Sequence, residues 1–80
     1  GSLNINSQTL KFQKDLVSNS NLNINANSFI NSANIITDSF NIKTNEFTNN
    51  SILASNKNSI INSANLINNA NSLIYSNSLL

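Results

Sequence analysis

The feature that most constrains this chain is an internal repeat of about 19 residues. The string LNIN occupies residues 3–6 and returns at residues 22–25, and FNIK follows at residues 40–43, so the spacings are 19 and then 18. Residues 60–64 match as a fourth copy in which one residue has slipped. A repeat of this length predicts units that bury their apolar faces against one another rather than each folding alone.

Large apolar residues recur at fixed places in the repeat, and we predict that they form core columns. The three predicted columns are Leu3, Leu22 and Phe40; Ile5, Ile24, Ile42 and Ile61; and Leu10, Phe29, Phe47 and Leu66. A paired apolar step closes each unit, at Leu16-Val17, Ile35-Ile36, Ile52-Leu53 and Leu73-Ile74.

The spacing within one unit favours strands over helices. Leu22, Ile24 and Ala26 alternate with asparagines, and a period of two is typical of a strand with one buried face. Asn and Ser also compete with the backbone hydrogen bonds of a helix. A period near 19 suits one coil built from two or three short strands. We therefore predict an all-β fold, a right-handed parallel β-helix (β-solenoid) of about four coils with 18–20 residues per coil.

The predicted organisation is one repeat segment over residues 3–80, with units at about 3–21, 22–39, 40–58 and 59–80. Residues 1–2 are expected to be a remnant of an expression tag, since the chain opens on Gly-Ser without Met. The repeat segment is then expected to be a fragment of a longer protein.

Asparagine is the commonest residue type, with 21 Asn and 14 Ser among 80 residues, beside one Gly and no Pro. Asn tolerates the left-handed backbone conformation, so we expect it to replace glycine at the corners. Asn31, Asn49 and Asn68 each follow a large apolar column residue by two positions. We predict that these three form an inward ladder of side-chain amides. The alternative, that they are exposed turn residues, stays open at this point.

The composition excludes most site chemistry. The chain has no Cys and no His, which removes zinc fingers, haem ligation and Cys–His nucleophile pairs. Its net charge of +1 comes from only four Lys against three acidic residues, too few for a nucleic-acid surface. Asp15, Asp38 and Glu46 occupy different places in the repeat, whereas paired carboxylate catalysis needs two within about 5–10 Å. We predict no enzyme activity, no catalytic or metal site and no cofactor.

The repeat resembles the haemagglutinin repeat of filamentous haemagglutinin-type proteins, which include bacterial adhesins and contact-dependent growth inhibition proteins secreted by two-partner systems. That repeat reads roughly L-x-I-x-A, a short gap, and L-x-N. Residues 22–26 with residues 29–31 follow it closely, and the other units match in turn. The glycines usual in that family are replaced here by Asn and Ser.

The resemblance implies a structural stalk that extends or presents adhesive or toxin-delivery domains. It also implies a secreted or outer-membrane-associated location on the bacterial cell surface. The partners it implies are neighbouring repeats, an outer-membrane secretion partner and a host or target-cell surface. Two other functions stay open, an adhesin module that binds glycans or host protein directly and a self-assembling amyloid-like fibre subunit. End-to-end self-association is expected if the outermost sheet edges are open.

Overall fold

The computed structural model describes residues 2–76 and the backbone of residues 78–79. This part of the chain consists of strands and connecting turns, and long strands alternate with short ones. The long strands are β1 (Ser2–Phe12), β3 (Asn21–Asn31), β5 (Ser39–Asn49) and β7 (Asn58–Asn68). The short strands are β2 (Leu16–Val17), β4 (Ile35–Thr37), β6 (Ile52–Ser55), β8 (Leu73–Tyr75) and β9 (Ser78–Leu79).

The strands stack into two parallel sheets along one axis. The long strands and β9 form a sheet in the order β1-β3-β5-β7-β9, and the remaining short strands form a second sheet in the order β2-β4-β6-β8. One coil therefore consists of a long strand and the short strand that follows it. This confirms the predicted all-β parallel solenoid of about four coils.

The register between coils follows the sequence repeat. Leu3 lies opposite Leu22, and Leu22 lies opposite Phe40. Between the third and fourth coils Ile42 pairs with Ile61, so the slipped copy still brings isoleucines into one column. Ser59 follows Phe40 in the column of Leu3 and Leu22, and its Oγ accepts a hydrogen bond of 3.0 Å from the Phe40 N–H.

Each long strand contains a corner. In the second coil the buried side chains fall on Leu22, Ile24 and Ala26, and then on Phe29 and Asn31. The alternation changes phase at residues 27–28, and the residue pairing between neighbouring long strands skips the position that Asn27 occupies. The coil thus has two segments from the long strand and a third from the short strand, which encloses the core on three sides.

The core is centred on the second and third coils. Its fully buried side chains include Leu22, Ile24, Phe29, Ile35, Phe40, Ile42, Phe47 and Leu53. The predicted column residues are less buried in the outer coils, where Leu3 is 41% and Leu66 is 49% exposed. Ile5, Leu10 and Ile61 are only partly buried. These residues lie in the predicted columns, but a neighbouring coil covers them on one side alone.

The paired apolar step also needs a correction. Leu16 pairs with Ile35, Ile35 with Leu53, and Leu53 with Ile74. The third and fourth pairs are therefore displaced by one residue from the predicted alignment with Leu16-Val17. Alternation explains the displacement, because the inward residue is the second of the pair in those coils.

The expectation that asparagine turns the corners through left-handed backbone is wrong. Among the described non-glycine residues, only Asn71 has a positive φ, at 65°. It lies in a longer turn, because Leu53 pairs with Ile35 eighteen residues earlier and with Ile74 twenty-one residues later. The extra residues of the last coil need a tight reversal that the other coils do not have.

Side-chain hydrogen bonds to the backbone hold the other corners. At the first corner, Thr44 Oγ1 donates to the Glu46 carbonyl oxygen at 3.0 Å. At the corner after the short strand, Thr37 Oγ1 donates to the Ser39 carbonyl oxygen at 3.0 Å. Ser7, Ser55 and Ser63 make the same contact to the carbonyl two residues ahead. Short polar side chains can thus replace the Gly and Pro that such turns ordinarily use.

Candidate functional site

The structure brings Asn31, Asn49 and Asn68 into one inward column. Asn31 and Asn49 are fully buried. Asn31 Nδ2 donates to Asn49 Oδ1 at 3.0 Å, and Asn49 Nδ2 donates to Asn68 Oδ1 at 3.0 Å. Asn68 belongs to the outer coil and is exposed. The amides form a continuous chain of hydrogen bonds along the solenoid axis.

The same amides also tie each long strand to the short strand of the next coil. Asn31 Nδ2 donates to the Ile52 carbonyl oxygen at 3.1 Å, and Asn49 Nδ2 donates to the Leu73 carbonyl oxygen at 3.1 Å. Asn31 Oδ1 accepts the Ala33 N–H at 3.1 Å. Among the described residues, no buried side-chain polar atom lacks a hydrogen-bond partner. The column is therefore a fully satisfied structural network, which a low-dielectric core requires.

The ladder begins in the second coil because Phe12 takes the equivalent place in the first. The Phe12 ring meets the Phe29 ring edge-on at 5.8 Å between centroids. Phe29 then stacks on Phe47 at 4.8 Å with an interplanar angle of 12°. This aromatic column stands next to the amide column and fills the corner of the core, where the edge-on and stacked ring contacts add to area burial.

The three acidic residues are dispersed over the coils. Asp15 Oδ1 accepts the Asn34 N–H at 2.9 Å, and Asp38 lies 3.8 Å from the Lys57 ammonium. Glu46 is an exposed residue of β5. The described residues contain no group of three or more acidic side chains that could hold a metal ion. Asp15 and Asp38 thus act as coil-to-coil contacts.

The outward faces of the long strands carry polar ladders. Asn23 Nδ2 donates to Asn4 Oδ1 at 2.7 Å, and Ser39 Oγ donates to Asn21 Oδ1 at 2.6 Å. Asn45 and Asn69 bond the asparagines of the preceding coil in the same way. Many of the amides on these faces are therefore engaged between coils. The sequence predicts Asn and Ser columns on the outside of the coils, but it named residues only for the inward ladder, although the fixed spacing of Asn was a signal for both.

The short-strand sheet has a different surface, which we call the lateral stripe. It is the outward column Val17, Ile36, Ala54 and Tyr75, whose members pair in sequence along the axis. Val17 is 73% and Tyr75 is 58% exposed, and Leu73 beside the stripe is 50% exposed. Isolated exposed apolar residues are ordinary, but a continuous column of them is typical of a contact surface.

The two ends of the stack are also apolar. The coil-1 face is formed by β1 and β2, and the coil-4 face by β7 and β8, with β9 along part of the β7 edge. On β7 only Asn58 and Ser59 have a further partner, in β9. Leu3 on one face and Leu66 on the other are nearly half exposed. Each face thus presents open strand edges around a partly uncovered core.

A buried hydroxyl pair where the third coil passes into the fourth was not predicted from the sequence. Ser55 and Ser59 are each 2% exposed, and their Oγ atoms share a hydrogen bond of 2.7 Å. Ser76 Oγ lies 3.1 Å from Ser55 Oγ. Ser18, Thr37, Ser55 and Ser76 fall at one corner of successive coils, so the recurring hydroxyl was the signal that could have revealed this column.

The described part of the chain contains no helix with the length and hydropathy that crossing a membrane requires. Comparison of the chain with protein-family models, with curated proteins and with solved structures finds no match.

Proposed function

We propose that this chain is a structural stalk segment of a secreted or cell-surface filament, in which stacked coils provide length and hold other domains away from the surface. The observation that carries the proposal is the regular coil-to-coil interface. The same inward columns and the same parallel register recur from coil to coil. An interface that repeats along an axis can be extended without redesign of the units.

The internal ladders give such a stalk its stiffness. The Asn31–Asn49–Asn68 column and the Phe29–Phe47 stack both run along the axis. A bend between coils would have to separate buried amides that have no water to replace their partners. The resemblance of the repeat to filamentous haemagglutinin-type proteins supports the same role and the bacterial cell surface as its location.

The length of the solenoid tests the proposal. The chain has no native cysteine, so spin labels can be attached at Asn6→Cys and Asn62→Cys, which share one exposed outward column. One, two and three copies joined in tandem are labelled in the first and last coils. We expect narrow distance distributions whose means grow by about 19 Å per copy, from roughly 4.8 Å per coil. Broad distributions that grow with the square root of length would contradict a rigid stalk.

The location has a separate test. An antibody raised against the folded chain should label intact, unpermeabilised cells of the source organism or its culture medium. Signal only after permeabilisation would contradict a surface filament, whatever the stiffness of the solenoid.

Binding of a host protein or glycan is a second candidate function, and the lateral stripe is the observation that favours it. A docked partner would cover Val17 and Tyr75, which are the most exposed apolar residues of the stripe. A screen of glycans and extracellular host proteins, compared between the native chain and Val17→Asp, tests this function. Binding that is lost in the variant would support it, and no binding by the native chain would exclude it for the ligands screened.

A further inference from the structure

We propose that the coil-4 face of one copy binds the coil-1 face of a second copy, so that the solenoid continues across a non-covalent junction in the same parallel register. This inference rests on the proposed stalk function, because it names the chain itself as the partner that lengthens the stalk.

The two faces match column by column. Continued stacking would place Leu10 of the second copy on Leu66 of the first, and Ile5 on Ile61. These pairs repeat contacts that already exist inside the chain, where Phe29 pairs with Leu10 and Ile24 pairs with Ile5. On the short-strand side, Leu16 would cover Ile74 in the column where Leu53 pairs with Ile74. Apolar side chains that are now partly exposed would become core residues.

The junction is weaker than an internal coil interface at one place. There the second copy's Phe12 would meet Asn68, so the amide ladder would not continue. The backbone carbonyl of Asp15 would offer the Asn68 amide an acceptor, in the position where Leu73 serves Asn49. The Phe12 side chain has no oxygen that could accept the hydrogen bond which Asn68 Nδ2 would donate in a continued ladder. This defect predicts an association that is specific but reversible.

The size of the faces agrees with reversible association. The molecule measures 27 × 25 × 25 Å, so each face covers roughly 600 Å² and a junction would bury about 1,200 Å² in total, the lower end of specific interfaces. The contact joins two different surfaces by a translation along the axis. Such a contact does not close on itself, and it produces an open series of oligomers rather than a dimer.

Strand β9 occupies part of the coil-4 face. It pairs with Asn58 and Ser59, and Ser59 lies in the column that starts with Leu3. The second copy's first residues would therefore compete with β9 for the same edge of β7. Removal of residues 77–80 should free that edge and strengthen association at least about threefold. If the two faces did not meet, removing these residues would leave the strength of association unchanged.

Two substitutions on adjacent residues test the junction directly. Leu66 and Ile67 are 49% and 53% exposed in the same strand, but Leu66 belongs to the inward column and Ile67 to the outward column that contains Lys11. Leu66→Asp would enclose an unpaired carboxylate in the junction, which is strongly unfavourable. Ile67→Asp would bring a carboxylate next to Lys11 of the second copy, so it serves as the matched control.

Sedimentation velocity at concentrations from about 5 to 500 μM gives the readout, with circular dichroism as the check on folding. We expect the native chain and Ile67→Asp to form a concentration-dependent series of oligomers. Leu66→Asp should raise the dissociation constant at least about 100-fold and remain monomeric with an unchanged spectrum. If Leu66→Asp loses its β spectrum, the milder Leu66→Asn takes its place in the comparison.

Mixing establishes the direction of the contact. A Leu66→Asp molecule still has an intact coil-1 face, so it should bind the coil-4 face of a native oligomer and end its growth. An equimolar amount should therefore lower the mean mass of native oligomers. A contact between two coil-4 faces would leave that mass unchanged and overturn the proposal.

Other outcomes also overturn the proposal. One is a native chain that stays monomeric at 500 μM. The other is a series that stops at a dimer and is abolished by Val17→Asp, because this result would assign the contact to the lateral stripe. None of these results affects the distance measurement on a single copy labelled at residues 6 and 62, because that distance crosses only the coil interfaces inside one chain. Failure of the junction is thus distinguishable from failure of the stalk function.

Discussion

The inner coils and the outer coils contain equivalent residues in equivalent places, yet they differ in burial. Ile24 and Ile42 are 2% and 0% exposed, whereas Ile5 and Ile61 in the same column are only partly buried. Phe47 is 1% exposed and its neighbour in the next coil, Leu66, is 49% exposed. A residue in this fold is therefore buried by the coils on both sides of it rather than by its own strand.

This difference assigns most of the stability to the second and third coils. In a stack with nearest-neighbour contacts, an inner coil has two interfaces and an outer coil has one. The outer coils retain strand pairing and the corner hydrogen bonds, but each leaves one face of its core in water. Substitutions at matched positions of inner and outer coils should therefore change stability by different amounts.

The largest effect is expected for Phe47→Ala set against Leu66→Ala. Phe47 is buried and stacked on Phe29 at 4.8 Å, so its truncation leaves a cavity and should cost about 4 kcal/mol. Leu66→Ala should cost about 1 kcal/mol, because half of that side chain is already in water. Urea unfolding followed by circular dichroism measures both. Equal losses would contradict the distinction between inner and outer coils.

The next effect concerns the two kinds of asparagine. Asn49→Leu removes an amide that holds Asn31, Asn68 and the Leu73 carbonyl, so buried polar groups lose their partners at a cost of about 3 kcal/mol. Asn23→Ser removes an outer contact to Asn4 and should change stability by less than about 0.5 kcal/mol. Equal melting temperatures for the two variants would exclude a stabilising role for the inward ladder.

A smaller effect is expected at the first corner. Thr44→Val keeps the shape of the buried side chain but removes the hydrogen bond from Thr44 Oγ1 to the Glu46 carbonyl, which should cost about 1 kcal/mol. Ala26 occupies the same corner one coil earlier and has no hydroxyl. Ala26→Ser supplies one and should leave stability unchanged or raise it by up to about 1 kcal/mol. Chemical denaturation of both variants tests this, and a stabilising Thr44→Val would refute the corner account.

The smallest effect is expected for the ion pair between Lys57 and Asp38. The pair spans 3.8 Å and the Lys57 side chain is 70% exposed, so water and salt screen it. Lys57→Gln should change the free energy of unfolding by less than about 0.5 kcal/mol. A loss above 1 kcal/mol would mean that the Lys57–Asp38 ion pair stabilises the fold more than its exposure to water suggests.

The column positions could be predicted from the sequence because the two-residue alternation within a strand and the 18–19-residue spacing between coils point to the same residues. The alternation of Leu22, Ile24 and Ala26 indicates which side of a strand faces inward. The spacing between Leu3, Leu22 and Phe40 then indicates which residues stack. Both are local or repetitive properties, so they are visible without knowledge of the fold.

Burial could not be predicted in the same way, because it depends on how many coils lie on each side. Leu66 has the same pattern as Phe47 in its strand, and only the missing cover on one side separates them. The inward residue of the short strands could not be predicted for a related reason. Ile52 and Leu53 are both apolar, so hydrophobicity alone does not show which of them faces the core.

The roles of asparagine were only partly predictable. Its spacing identified the inward column, but its tolerance of left-handed backbone suggested a corner role that only Asn71 fulfils. The corners instead use hydroxyls and amides that bond the backbone two residues ahead. Both roles are open to a small polar side chain, and the backbone geometry of the coil decides between them.

Amide hydrogen exchange resolved by strand tests most directly the claim that each coil is stabilised by its neighbours. We expect the slowest exchange in β3 and β5, where the free energy of opening approaches the global free energy of unfolding, and faster exchange in β1 and β7, which open without global unfolding. The measurement is made at a concentration where the chain is monomeric by sedimentation. Uniform protection across all four long strands, or faster exchange in β3 and β5 than in β1 and β7, would show that neighbouring coils are not what stabilises each coil.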